Sequence, residues 1–296
     1  MQKNLATRPV RMYALVDGAA SPGKIQPLLE QSGAPFVSLY EGLPEQQAGA
    51  ASLFLGRIDN PQAPWANELD LIDLYTPSLV LVWSRVDLPE LAAHLRAFLF
   101  ADIGEGATAM VRYFDPRNTR AVLHVWGEQL TNLFMAPLEQ VSYRGRHEQW
   151  TTFRNSSREA GRTSRSVVIE LSQQDIDALT AHTEPDELMA SLIELGRIDE
   201  ARPYRERFLD LEPRYKRAID WGLVEARDRL GYCDYSYRFG IDFDTDTVVR
   251  EALDARRRNA GTFEHAMTSV PARIWRALKH KLPWPRSMLA QQTQGL

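Results

Sequence analysis

A short polar segment divides this sequence into two parts of different character. Residues 154–166 read RNSSREAGRTSRS, with no aromatic side chain and no aliphatic one larger than alanine, a composition typical of an exposed linker. Before this segment, short apolar runs such as Met12–Val16 and Leu79–Trp83 alternate with stretches of helical periodicity; after it, nearly every stretch has helical periodicity. The predicted fold class is α+β, with an N-terminal α/β lobe containing a helix-covered sheet over residues 1–153 and an all-helical lobe over residues 167–296.

Charge and cysteine content limit the classes of function. The 296 residues carry a formal net charge of -4, whereas a dedicated nucleic-acid binder usually has a basic surplus. The single cysteine, Cys233, excludes an intramolecular disulfide and fits a reducing compartment. We find no signal-peptide pattern and no apolar run near the ~18 residues that cross a bilayer. We therefore expect a cytoplasmic protein that neither binds nucleic acid nor inserts into a membrane.

One motif suggests nucleotide binding. Residues Gly18 to Lys24 follow a predicted strand and fit the glycine and lysine positions of a phosphate-binding loop. However, Ile25 stands where a hydroxyl group should hold magnesium, and Pro22 removes a backbone N–H from the phosphate cradle. The structural interpretation is a strand-to-helix turn with Ser21 as N-cap and Pro22 at the first helical position. A nucleotide-binding enzyme stays an alternative that rests on this motif alone.

Other reactive residues do not form a recognisable set. Asp242, Asp244 and Asp246 have the spacing of a calcium loop, but its required glycine and glutamate positions hold Thr247 and Leu253. An acidic helix start is the better interpretation. The six histidines include no pair four residues apart. We therefore predict no catalytic, cofactor-binding or metal-binding residue and expect that the chain is not an enzyme.

Several segments of the first lobe form an ordered set of motifs. The first reads YALVDGA from Tyr13, and the second reads VSLYEGLPE from Val37. The third reads MVRYFDPR from Met110, and it is followed by WGEQ from Trp126 and LFMAPL from Leu133. The motif residues that we single out are Asp17, Gly18, Tyr40, Gly42, Arg112, Asp115, Pro116 and Arg117.

Taken together, these segments resemble the N-terminal domain of type VI secretion effector chaperones, also called Tap-type or VasW-type adaptors. The resemblance covers residues 12 to 153, and a looser one extends over Tyr215–Gly222 and Phe239–Phe243. It implies a protein without an active site that binds a cognate effector and helps to place it on the spike protein VgrG, sometimes with a PAAR-containing partner. A generic helical scaffold is a further alternative, which rests on the second lobe.

The motif residues also have a structural interpretation. Asp115 followed by Pro116 is a common way to cap and start a helix. Arg112 and Arg117 are expected to pair with Asp17 or Asp115 and so to fix one edge of the sheet. Aromatic residues are enriched at interface anchors, so we predict partner-binding side chains in the helical lobe, of which Trp275 and Trp284 are expected to be exposed. The predicted partner-binding residues are Trp221, Tyr235, Trp275 and Trp284.

Overall fold

The computed structural model describes residues 8–147, 150–155, 162–259 and 261–281. Contacts along the chain divide it into two compact units. Unit 1 comprises Met1–Thr183 and Ala201–Arg205, and unit 2 comprises Glu184–Glu200 and Glu206–Leu296. Among the described residues, a sheet with helices occurs in the first part and helices without strands in the second, which confirms the predicted fold class.

Most strands of unit 1 join one antiparallel sheet. Within the described residues the strands are β1 (Arg11–Asp17), β2 (Phe36–Ser38), β3 (Leu53–Ile58), β4 (Leu79–Ser84), β5 (Phe100–Asp102), β6 (Thr108–Met110), β7 (Leu138–Tyr143) and β8 (Thr151–Arg154). The described part of the chain forms a six-stranded sheet in the order β2-β3-β1-β4-β7-β8. Every neighbouring pair is antiparallel. The first strand therefore lies in the interior of the sheet.

Helices cover both faces of this sheet. The described α-helices before β7 are α1 (Ile25–Ser32), α2 (Pro64–Tyr75), α3 (Leu88–Arg96) and α4 (Thr119–Met135). Successive side chains of a strand point to opposite faces: Tyr13 and Leu15 pack with α3 and α4, whereas Ala14 and Val16 pack with α1 and α2. This two-sided burial explains why β1 is a continuous apolar run.

A second, smaller strand pair and one broken helix complete unit 1. Strands β5 and β6 pair with each other, and Asp102 at the end of β5 also bridges to Glu170. Helix α4 contains a break at Gly127, whose φ of 66° and ψ of -175° are not helical. Such a φ favours glycine, which has no Cβ to clash with the backbone.

The remaining helices follow residue 172. They are α5 (Gln173–Glu194), α6 (Tyr204–Asp220), α7 (Ala226–Phe239), α8 (Thr247–Asn259), α9 (Phe263–Thr268) and α10 (Ala272–Lys281). The core of unit 2 includes Tyr232, Phe243, Val249 and Phe263, all nearly inaccessible to solvent. In the described ranges, no helix combines the length and apolar character that crossing a membrane requires.

Several predicted elements differ from the structure. The residues Thr108–Phe114 predict a single strand from their sequence pattern, but β6 ends at Met110, because the chain turns at the following motif. The sequence pattern after residue 172 predicts two helices, Gln173–His182 and Asp186–Leu195, whereas the structure has one helix, α5, with Pro185 inside it. The predicted linker, residues 154–166, includes Thr163 and Ser164, which hydrogen-bond Glu90 and His94 of α3. The two compact units divide after Thr183 instead of at this segment.

Helix α2 had no assignment from sequence, and its buried aspartate explains why. Asp73 is 1% exposed, and its Oδ1 accepts hydrogen bonds from the backbone N–H groups of Ser78 and Leu79 at 2.8 and 2.9 Å. Its Oδ2 accepts from Arg144 at 2.8 Å. The carboxylate therefore connects α2 to the start of β4 and the end of β7, a role that an apolar periodicity does not reveal.

Candidate functional site

The first motif forms the turn at the end of β1. The Asp17 carboxylate accepts a hydrogen bond from the backbone N–H of Ala19 at 3.0 Å, and the Gly18 N–H donates to the Ser52 carbonyl at 2.9 Å. A Cβ atom at Gly18 would lie 2.5 Å from the carbonyl oxygens of Ala50 and Ser52, closer than nonbonded atoms can approach. Only glycine therefore fits at position 18, which gives this motif residue a structural explanation.

The same turn shows how the phosphate-loop motif folds. Helix α1 begins at Ile25 with Lys24 as its N-cap, so the prediction that Ser21 and Pro22 start this helix is wrong by about one turn. The backbone N–H of Ser21 donates to Gly18, and the N–H groups of Lys24 and Ile25 donate to Ser21. A phosphate cradle needs free N–H groups, and here these donors bond to carbonyl groups of the protein.

The third motif brings two arginines to two carboxylates. Arg112 Nη2 lies 3.1 Å from Asp17 Oδ2 and 3.4 Å from Asp115 Oδ2. Arg117 donates from Nε to Asp115 Oδ1 at 2.9 Å and from Nη2 to Asp115 Oδ2 at 2.7 Å. The predicted pairing of Arg112 and Arg117 with these aspartates is confirmed. We call Asp17, Arg112, Asp115 and Arg117 the ion-pair cluster.

Asp115 organises a turn as well as the ion pairs. Its Oδ1 accepts from the backbone N–H of Arg117 at 3.0 Å, and its carbonyl accepts from the N–H groups of Asn118 and Thr119. Pro116 lies inside this turn. Helix α4 begins only at Thr119 with Asn118 as its N-cap, so the prediction that Asp115 caps the helix and Pro116 starts it is wrong by about three residues. Because the Asp115 carboxylate accepts a hydrogen bond from the backbone within this turn, it stabilises the turn and does not cap the helix.

The two carboxyl groups of the cluster have opposite pKa shifts. Burial raises the pKa of Asp17, and the charge of Arg112 offsets this only in part. Burial also acts to raise the pKa of Asp115, but the charge and hydrogen bonds of Arg117, with Arg112 further away, outweigh it and lower that pKa below its usual range. The folded protein therefore favours the ionised form of Asp115, whereas it disfavours the ionised form of Asp17.

The second motif packs beside this cluster. The Tyr40 hydroxyl contacts Met110 Sδ at 3.4 Å, and the side chain is buried. Burial, with a further contribution from the negative charge of Asp17, raises the pKa of Tyr40 to about 12. Gly42 has a φ of 77°, and its N–H donates to Gln46 Oε1 at 2.8 Å. Both residues thus shape the turn that follows β2.

An apolar pocket opens next to Arg112. Its volume is about 230 Å³, and its lining includes Arg112, Asn118 and the apolar side chains of β6, α4 and α5. Its apolar lining residues include Met110, Val122, Leu171, Ile176 and Leu179. The sequence did not predict this pocket, because its walls come from segments about 60 residues apart. We call it the anchor pocket.

The predicted partner-binding aromatics of unit 2 are part of its packing. Trp221 Nε1 donates to Asp244 Oδ2 at 2.7 Å. Tyr235 and Trp275 pack against each other with ring centroids 5.1 Å apart, and Trp275 lies 4.7 Å from Phe239. Trp275 is half-buried beside the core of unit 2, so the expectation that it is exposed is wrong. Trp284 lies outside the described residues, and the partner-binding role itself stays a prediction.

The acidic residues of unit 2 have separate structural roles. Asp244 is 4% exposed and accepts from the Tyr232 hydroxyl at 2.6 Å. Asp246 Oδ1 accepts from the Val248 N–H at the start of α8, which agrees with the predicted acidic helix start. In the part of the chain that the structure describes, no group of three or more His, Cys, Asp or Glu side chains could hold a metal ion.

Comparison with known proteins adds one match. Residues 12–132 match the family model described as domain of unknown function (DUF4123). This range runs from β1 into α4 and contains every motif residue singled out above. No curated protein matches the chain, and no solved structure matches it.

Proposed function

We propose that this chain is a non-catalytic adaptor that binds a cognate type VI secretion effector in the cytoplasm and loads it onto the VgrG spike, with a PAAR-containing protein as a further partner. The observation that carries the proposal is the match of residues 12–132 to the domain family, a range that contains four of the five ordered motifs that resemble effector chaperones. The ion-pair cluster supports it, because these motif residues build turns and ion pairs and so give the family signature a scaffold role.

The environment of the most reactive side chains favours a non-catalytic protein. Cys233 is buried, and burial raises the pKa of its thiol to about 12, whereas a nucleophilic cysteine needs a lowered pKa. His94 is also buried, and burial lowers its pKa to about 4. Its Nε2 donates to the Phe134 carbonyl and its Nδ1 accepts from the Ser164 N–H, so neither ring nitrogen is left for proton transfer.

Co-purification tests the proposal directly. We would express the tagged full-length chain with the effector encoded beside its gene and, separately, with VgrG. We expect a stoichiometric complex with the effector, and a ternary complex when VgrG is added. An effector from an unrelated secretion cluster is the control and should not bind. The proposal is wrong if the chain binds neither the adjacent effector nor VgrG.

A further inference from the structure

A groove of about 780 Å³ lies between α4 and the segment of the chain that precedes α5. The segment contributes the five consecutive residues 166–170 to its lining. Because side chains of an extended segment alternate between two sides, five consecutive lining residues indicate that the backbone itself lines the groove. We call it the edge groove. Helix α4 supplies its other wall, with Trp126, Gln129, Leu130, Asn132 and Leu133.

The segment pairs with β5 along one of its edges. Glu170 forms a parallel bridge with Asp102. The Asp102 N–H donates to the Ile169 carbonyl at 2.8 Å, and the Leu171 N–H donates to the Asp102 carbonyl at 3.0 Å. Ile169 is 2% exposed, whereas Val168 is 79% exposed and Glu170 is also exposed. This alternation indicates an extended segment that buries every second side chain.

The other edge of the segment is unpaired. In a parallel pair, the residues on either side of the bridged one bond to the neighbouring strand, so the N–H and C=O groups of Glu170 point away from β5. Those of Val168, two residues earlier, point the same way. Within the described ranges, neither residue donates or accepts a backbone hydrogen bond. The edge groove therefore contains a strand edge that an added strand can pair with.

We infer that the edge groove binds an extended segment of a partner polypeptide, which pairs as an added strand with the backbone of Val168 and Glu170 and places a lysine or arginine beside the Glu170 carboxylate. The cation follows from charge: Glu170 is exposed and forms no ion pair with any residue that the structure describes, and opposite charges on adjacent strands attract. The inference goes beyond the proposed function and does not depend on it.

The length and the chemistry of the groove both favour a polypeptide. Residues 166–170 span roughly 13 Å at about 3.3 Å per residue, which is the length of a five-residue strand. An alternation of N–H and C=O groups is matched by another peptide backbone, and strand addition is a common mode of peptide recognition. A hydrocarbon chain would leave these groups unpaired. A nucleic acid would bring phosphates close to the Glu170 carboxylate. On the α4 side, the half-buried Leu130 and Leu133 offer apolar contacts to alternate side chains of the added strand.

A short peptide tests the inference without knowledge of the partner. We would add N-acetyl-Thr-Val-Lys-Val-Thr-amide to the full-length chain and follow amide hydrogen exchange by NMR. With the groove about nine-tenths occupied, exchange of the Val168 and Glu170 amides should slow by about tenfold. The Leu171 amide, already bonded to Asp102, is the internal reference and should change less. The same peptide N-methylated at every residue should bind about tenfold more weakly, because it has no backbone donors. Absence of binding, binding without protection of these two amides, or equal binding of the N-methylated peptide would overturn the inference.

A second peptide tests the cation. Replacing the lysine of the probe by glutamate should weaken binding to the natural chain by about threefold or more at low salt. The Glu170→Gln variant should reduce this difference between the two peptides, because the carboxylate that distinguishes them is gone. Equal binding of the lysine and glutamate peptides to the natural chain would contradict the cation beside Glu170.

A pair of variants at one residue tests the edge itself. Val168→Pro removes an outward N–H group, a change that edge strands tolerate, and should weaken the lysine peptide by about tenfold. Val168→Thr is the matched control, because it keeps the N–H and the branched shape, and it should bind the peptide as the natural chain does. Retained protection of the Leu171 amide shows that the segment still pairs with β5 in Val168→Pro. If that protection is lost, the N-methylated peptide on the natural chain decides. Equal binding by the two variants with Leu171 protected would overturn the inference.

Two further outcomes separate this inference from its alternatives. Protection of the Val168 and Glu170 amides that rises with chain concentration, without any peptide, would assign the edge to a second copy of this chain and overturn the inference. If the effector and VgrG bind the chain but the peptide does not, the edge is wrong and the adaptor function stands. If the peptide binds and protects both amides while neither protein binds, the edge stands and the adaptor function is wrong.

Discussion

Arg117 and Asp115 are joined by two parallel hydrogen bonds, and the Asp115 carboxylate that receives them is 1% exposed. A buried carboxylate that loses its partner is left without compensation for its desolvation. We expect Arg117→Met to lower the free energy of unfolding of unit 1 by about 3 kcal/mol, at the lower end of the usual range because Arg112 stays nearby. Hydrogen exchange of the β1 and β4 amides measures this change.

The control for this variant is an exposed pair of the same residue types. Arg57 donates from Nε and Nη2 to Asp59 Oδ2 at 3.1 and 2.8 Å, but the two side chains are 33% and 65% exposed. Arg57→Met should cost less than about 1 kcal/mol. Equal losses for Arg57→Met and Arg117→Met would contradict a special contribution from the buried pair.

Asp17 and Asp115 should contribute to acid stability with opposite signs. The pKa of Asp115 is lowered in the folded state, so its contribution is present above the unfolded pKa of about 3.9 and is lost as the pH falls through the folded pKa. The stability difference between the natural chain and Asp115→Asn should therefore shrink as the pH falls below about 4. Urea unfolding at a series of pH values measures it.

The Asp17→Asn variant should show the reverse trend. The pKa of Asp17 is raised in the folded state, so the folded protein binds a proton more readily than the unfolded chain. The natural chain should gain stability relative to Asp17→Asn as the pH falls through the raised folded pKa towards about 3.9. Parallel pH profiles for Asp17→Asn and Asp115→Asn would show that the two environments do not differ as described.

Two glycines of the same turn should respond differently to substitution by alanine. Gly18→Ala should lower the free energy of unfolding by about 3 kcal/mol, because the new Cβ would displace the backbone carbonyls of Ala50 and Ser52. Gly23→Ala should change it by less than about 1 kcal/mol, because nothing lies within 4 Å of a Cβ there. Thermal unfolding of both variants provides the comparison. A large cost at Gly23 would indicate that the whole segment, and not residue 18 alone, excludes side chains.

Trp275→Ala should destabilise unit 2 by about 3 kcal/mol, since it removes a half-buried ring packed on Tyr235 and Phe239. Arg276→Ala, at an exposed neighbouring position of α10, should cost less than about 0.5 kcal/mol. Hydrogen exchange of the α7 amides reports on the change. Weaker effector binding by Trp275→Ala would then follow from lost folding, so it could not by itself identify a contact surface. An unchanged stability would restore Trp275 as a candidate surface anchor.

The sequence predicts the elements whose burial is continuous or strictly periodic. The apolar runs of β1 and β4 are confirmed, because each is short, apolar and bounded by turn residues. Helix α2 was missed because its buried Asp73 interrupts the apolar pattern, and α9 because its six residues are too few to show a period. At Asp115, the carboxylate stabilises a turn, and α4 therefore begins several residues later than the sequence motif predicts.

The candidate site was predictable only in part. Oppositely charged side chains within one ordered motif set made the pairing of Arg112 and Arg117 with Asp17 and Asp115 a direct expectation. The anchor pocket had no comparable signal, because its lining residues come from β6, α4 and α5, which lie far apart in the sequence. In unit 2 the tryptophans predict a partner-binding surface, whereas in the structure Trp221 and Trp275 contact other residues of the same unit.

The order of strands in the sheet also bears on how the chain is made. Strand β1 pairs with β3 on one side and β4 on the other, so these partners are all available early in synthesis. The other edge of β4 is covered only by β7, which emerges from the ribosome after α3 and α4 have been translated. Until then, the apolar strand Leu79–Ser84 presents unpaired backbone groups along one edge, which is a template for pairing with another chain. During the interval between translation of β4 and of β7, this edge of a nascent copy is therefore open to pairing with another chain.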